Sequence, residues 1–83
     1  MPHALLVEDW SEHDNRRIRD GRDRGKVSCA EKWEMDYILS KLKKHFPHKT
    51  DNEIREVMSS CCTSVKAPRP RNEYLECVLE KLK

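Results

Sequence analysis

Two short strings, Ser28-Cys29-Ala30-Glu31 and Thr50-Asp51-Asn52-Glu53, constrain this chain more than any other feature. Each has the form of a capping box, in which a hydroxyl and a glutamate satisfy orphan amide donors at the start of a helix. Behind each runs an apolar stripe at helical spacing. Met35, Ile38, Leu39, Leu42 and Phe46 follow the first box; Ile54, Val57, Met58, Cys61 and Val65 follow the second. Pro47 stops the first helix, because the residue before a proline avoids the helical region. Lys41, Lys43 and Lys44 then fall in its last turns, where cations complement the macrodipole. Lys66 to Arg71 carries two prolines and interrupts the second stripe. Pro70 is tolerated in the first turn of a third helix, whose stripe is Leu75, Val78, Leu79 and Leu82, with Tyr74 beside it. No strand pattern lies between these segments. The expected fold is all-α, a compact three-helix domain over residues 28–83.

Residues 1–27 read differently. They hold six basic residues (Arg16, Arg17, Arg19, Arg22, Arg24, Lys26) and six acidic ones (Glu8, Asp9, Glu12, Asp14, Asp20, Asp23), with both glycines of the chain. Only 8 of these 27 residues are hydrophobic, against 22 of the other 56. So little apolar surface cannot offset ordering entropy, so the segment is expected to be a flexible charged N-terminal arm. Its apolar patch, Leu5, Leu6, Val7 and Trp10, either docks on the helices or anchors a partner.

Composition narrows function by exclusion. A chain of 83 residues, 39% charged and 36% hydrophobic, has too small a core for a deep multi-residue catalytic pocket. No apolar run approaches the roughly 18 residues of a membrane span, and MPHALLVEDW lacks the features of a secretory leader. No membrane association is expected, and the cytoplasm is the expected location. There, Cys29, Cys61, Cys62 and Cys77 read as small reduced thiols. His45, His48 and the cysteines lack the pair spacing of structural zinc sites, so no metal is expected. Glycine-rich phosphate loops and the common nucleophile and zincin motifs are missing. No enzymatic activity and no cofactor are expected.

One helix face stands out. On the first helix Trp33, Tyr37, Lys41 and Lys44 fall within about 80° of one another, and the apolar stripe lies nearly opposite. Aromatic rings beside cations suit a protein hot spot or stacking on bases. The alternative is that the Trp10 patch or the third helix covers Trp33 and Tyr37. These four residues are the candidate partner-binding site, and a protein is the favoured partner. Nucleic acid is the alternative, through the arginine-rich arm and the trihelical pattern. Against it, residues 1–27 are electrically neutral and the whole chain carries only +2.

The run Gly21-Arg22-Asp23-Arg24-Gly25-Lys26-Val27-Ser28, then Trp33-Glu34-Met35-Asp36-Tyr37, resembles a family of short bacterial proteins to which no activity is assigned. That family has a D-R-x-x-(V/I) lead-in, an (aromatic)-E-(apolar)-x-Y helix, a second capped helix and a short third one. The resemblance covers roughly residues 20–60. It implies a small helical fold and a bacterial cytosolic origin. It also makes Trp33 and Tyr37 as suited to locking the arm onto the helix as to binding a partner. This chain departs from the pattern at Ile38, where the family has a second aromatic, and in its longer Cys61-to-Arg71 link.

Overall fold

The computed structural model describes residues 4–82; residues 1–3 of the expected arm and Lys83 of the expected helical domain lie outside it, as does the side chain of Val7. Four α-helices form among the described residues: α1 (Ser11–Arg19), α2 (Lys32–His45), α3 (Asp51–Ser64) and α4 (Arg71–Leu82). A 3-10 turn at Ala4–Val7 precedes them, and two short strands, β1 (Lys26–Val27) and β2 (Arg69–Pro70), lie between them.

The apolar stripes converge. Ile38, Leu39 and Leu42 of α2, Ile54, Met58 and Cys61 of α3, and Leu75, Val78, Leu79 and Leu82 of α4 are all buried in one core. Each such aliphatic side chain contributes about 1.5–3 kcal/mol by leaving water. Tyr74 is buried with them, and its hydroxyl donates to the Met58 carbonyl at 3.1 Å. Thr50 caps α3, its Oγ1 accepting from the Glu53 amide at 3.1 Å.

The first capping box does not form. Cys29 takes a left-handed backbone, φ 64°, so the chain turns before the helix begins, and α2 starts at Lys32 with Glu31 as an N-cap whose side chain pairs with Arg22 rather than capping the helix. Ser28 serves Glu34 instead: its amide and its hydroxyl each donate to Glu34 Oε1 at 2.8 Å.

The flexible arm is also overturned, because residues 4–27 are built into the body. The Asp9 carboxylate accepts from the Ser11 amide at 2.9 Å at the start of α1. A Schellman motif closes it: Gly21 N donates to Ile18 O at 3.0 Å and Arg22 N to Arg17 O at 2.7 Å. Gly21 sits at φ 79°, a conformation that costs an L side chain about 1–2 kcal/mol. β1 and β2 then pair antiparallel, with Lys26 opposite Pro70 and Val27 opposite Arg69, and the Arg71 amide donates to Gly25 O at 2.8 Å. The two strands and α1 add to the expected three helices. Low apolar content misled because α1 buries His13 and Arg17, which are held by polar bonds to Glu34 of α2 rather than by hydrophobic contact.

The cysteines are not free thiols. Cys29 pairs with Cys62 and Cys61 with Cys77, at Cα separations of 6.1 and 6.0 Å. Adjacent residues of a helix point about 100° apart, so Cys61 and Cys62 reach different neighbours rather than each other. One bond ties α3 to α4; the other ties α3 to the lead-in of α2.

Candidate functional site

The sequence places Trp33, Tyr37, Lys41 and Lys44 on one face of α2, and the structure lays α1 across most of it. Trp10 packs edge-on against Tyr37 at 5.9 Å between ring centroids, and His13 stacks on Tyr37 at 6.0 Å. The Arg16 guanidinium lies 4.5 Å from the centre of the Trp33 ring. Trp33 Nε1 is buried without a hydrogen-bond partner among the described residues, so this end of the indole is covered rather than displayed. Lys41 Nζ sits 5.0 Å from the Trp10 ring and 5.5 Å from the Tyr37 ring, and pairs with Glu8 at 3.2 Å. His45 bonds the other oxygen of Glu8. The His45 bond, more than Lys41, holds the Glu8 carboxyl below its usual range. Of the four residues, only Lys44 is fully exposed. The face therefore holds the N-terminal segment in place, and Trp33, Tyr37 and Lys41 are half-buried in that contact.

Beneath it lies a charged cluster that periodicity did not reveal. Glu34 is fully buried, yet accepts four hydrogen bonds: two from Ser28, one from Arg17 Nη1 at 2.8 Å and one from His13 Nε2 at 2.7 Å. Burial alone pushes this carboxyl up, but the donors from His13, Ser28 and Arg17 together outweigh it and hold it down at about 2. On its far side His13 Nδ1 faces Arg71 Nη1 at 3.2 Å. Because a guanidinium only donates, Nδ1 accepts and Nε2 carries the proton toward Glu34. Asp14 completes the clasp, taking the Gly25 amide and Arg71 Nη1, each at 2.8 Å.

Ser28, His13 and Glu34 have the residue types of a hydrolytic triad but not its wiring. Serine and histidine both donate to the same carboxylate, and the remaining imidazole nitrogen is occupied by Arg71. A nucleophile needs a base within reach of its own proton, and Ser28 has none here. The wheel did contain a signal for Glu34, which lies about 40° from Ile38 at the edge of the apolar stripe. His13 and Arg17 are spaced i, i+4, one face of a helix, a signal hidden because both lie in the segment expected to be flexible.

The chain matches no family model, no curated protein and no solved structure.

Proposed function

We propose that this chain is a small non-catalytic binding module whose partner is a protein. The observation that carries this reading is the set of exposed glutamates on α3 and α4. Glu53, Glu56, Glu73, Glu76 and Glu80 are exposed there and make no ion pair among the described residues. On α4 the three glutamates follow at i, i+3 and i+7, one continuous stripe. Such a face repels phosphate and suits a basic protein surface. Three of the five arginines that favoured nucleic acid are occupied, Arg16 on Trp33, Arg17 with Glu34 and Arg22 with Glu31, which leaves Arg19 and Arg24 exposed.

The interior supports the same reading, since its buried ionisable groups Glu34, Arg17 and His13 are spent on one another. Trp33, Tyr37 and Lys41 serve the module by locking α1 onto α2. The two disulfides favour an oxidising compartment over the cytoplasm. No described helix is long and apolar enough to cross a membrane. Kinship with the short bacterial helical family belongs to the same proposal; it rests on residues 23–27 and 33–37 and assigns no activity.

The test compares the oxidised protein with a Glu73→Lys, Glu76→Lys, Glu80→Lys variant as capture baits. A protein held by the first after nuclease treatment and lost by the second is the expected result. Material that disappears with nuclease, or that charge reversal leaves in place, rejects the proposal.

A further inference from the structure

The two disulfides sit in different surroundings. Cys61 is fully buried, which seals the Cys61–Cys77 bond from one side. Cys29 and Cys62 are both half-buried and line an open cleft of 260 Å³ with Met35, Arg55, Met58 and Ser59. A thiol can enter there.

The chain on either side of the outer bond is also held without it. Arg69 donates to the carbonyls of Val27 and Ser28, at 3.4 and 2.9 Å, on the Cys29 side. It donates twice to the Cys62 carbonyl, at 3.0 and 3.2 Å, on the other. The β1–β2 pairing and the Ser28–Glu34 bonds hold the same segment. Arg69 makes no ion pair with any carboxylate among the described residues, so its charge is unneutralised where it bonds the Cys62 carbonyl. Cys62 Sγ lies 3.7 Å from the Tyr74 hydroxyl oxygen. The Tyr74 proton is committed to the Met58 carbonyl, so it is the Arg69 cation, held at the Cys62 backbone, that favours a thiolate at this partly exposed cysteine.

We infer that Cys29–Cys62 is a thiol–disulfide exchange site, taking a dithiol or a glutathione-type monothiol as its reductant, while Cys61–Cys77 is structural. The incoming thiolate attacks Cys29 Sγ, forming a mixed disulfide as the Cys29–Cys62 bond breaks. Cys62 leaves as the thiolate, beside Tyr74 and Arg69. A second thiolate of the reductant then attacks the mixed disulfide, so the reductant ends as its own disulfide. Two electrons have passed to the cysteine pair, which takes up protons from water as the medium dictates. Arg69 keeps the two thiols close, so the bond can re-form when an oxidised thiol partner is supplied.

The test uses the intact oxidised protein. It is exposed briefly to glutathione at pH 8, alkylated with iodoacetamide and mapped by peptide mass, with helix content followed by far-UV circular dichroism. Cys29 and Cys62 should be modified about tenfold faster or more than Cys61 and Cys77, a barrier difference of about 1.4 kcal/mol, with the helix signal unchanged. Glutathione should be found on Cys29 and the alkyl group on Cys62. Opening of Cys61–Cys77 first or in step, or modification only as helix is lost, overturns the exchange site. Glutathione on Cys62 overturns the assignment of the leaving sulfur. A Cys29→Ser, Cys62→Ser variant should keep the native helix signal; its unfolding would also contradict the proposal.

Discussion

The α3–α4 pair and the segment around α1 are held in place by different forces. Between α3 and α4 the contact is Ile54, Met58, Leu75 and Val78, reinforced by the Cys61–Cys77 bond. Around α1 it is a set of ion pairs, hydrogen bonds and rings: Asp14 with Arg71 and Arg17 with Glu34 as ion pairs, His13 hydrogen-bonded to Glu34, and Trp10 against Tyr37. Apolar contact is tolerant, because many side chains of similar volume fill the same space. A buried charge network is not, because each member depends on a particular partner. The comparison teaches that one part of this small domain should resist change while the other fails at single residues.

The largest effect is expected at Glu34. Replacing it by alanine leaves Arg17 and His13 buried without their acceptor, and should cost about 3–5 kcal/mol in urea unfolding. Amide exchange should rise first in α1 and the loop to Ser28, and last in α3 and α4. A uniform rise would erase the contrast between the two regions. Leu75→Ala, in the fully buried centre of α4, should cost about 2–5 kcal/mol and weaken the other region instead.

Acid should separate the regions without mutation. The Glu34 carboxyl falls from its ordinary 4.5 to about 2 in the folded protein, so its contribution is complete above 4.5 and is lost as pH falls through about 2. Near-ultraviolet signals from Trp10 and Trp33 should change over that window, and in Glu34→Gln the change should shrink to what Glu8 and Asp14, also held below their ordinary values, contribute around Trp10. The smallest effect is expected at Gly21→Ala. A Cβ there meets open space, so only the left-handed backbone opposes it, at about 1–2 kcal/mol.

Legibility in the sequence follows the same division. The stripes of α2, α3 and α4 and the Thr50 cap were readable, since apolar spacing and cap chemistry are local. The Ser28 box was misread because Cys29 turns the chain and Glu34, not Glu31, receives the serine. α1 was hidden because its buried residues are His13 and Arg17, whose partner lies in another helix. Its termini did carry signals: acidic Glu12 and Asp14 early, basic Arg16, Arg17 and Arg19 late, and Gly21 just beyond. That Trp33, Tyr37, Lys41 and Lys44 share one side of α2 was readable from helical spacing, but what covers it could not be read without α1. The disulfides were obscured by helical neighbours, since Cys61 and Cys62 acquire partners only through the packing of α2, α3 and α4.

The central claim is that the charged N-terminal segment is part of the fold, clamped through Glu34. Native-state hydrogen exchange of the amides from Asn15 to Arg19 tests it most directly. They should be slowed by about a hundredfold or more relative to an unstructured chain, and lose that protection in Glu34→Ala. Exchange at unstructured rates in the unaltered protein, with α2 to α4 protected, would contradict the account and restore a flexible arm on a three-helix domain.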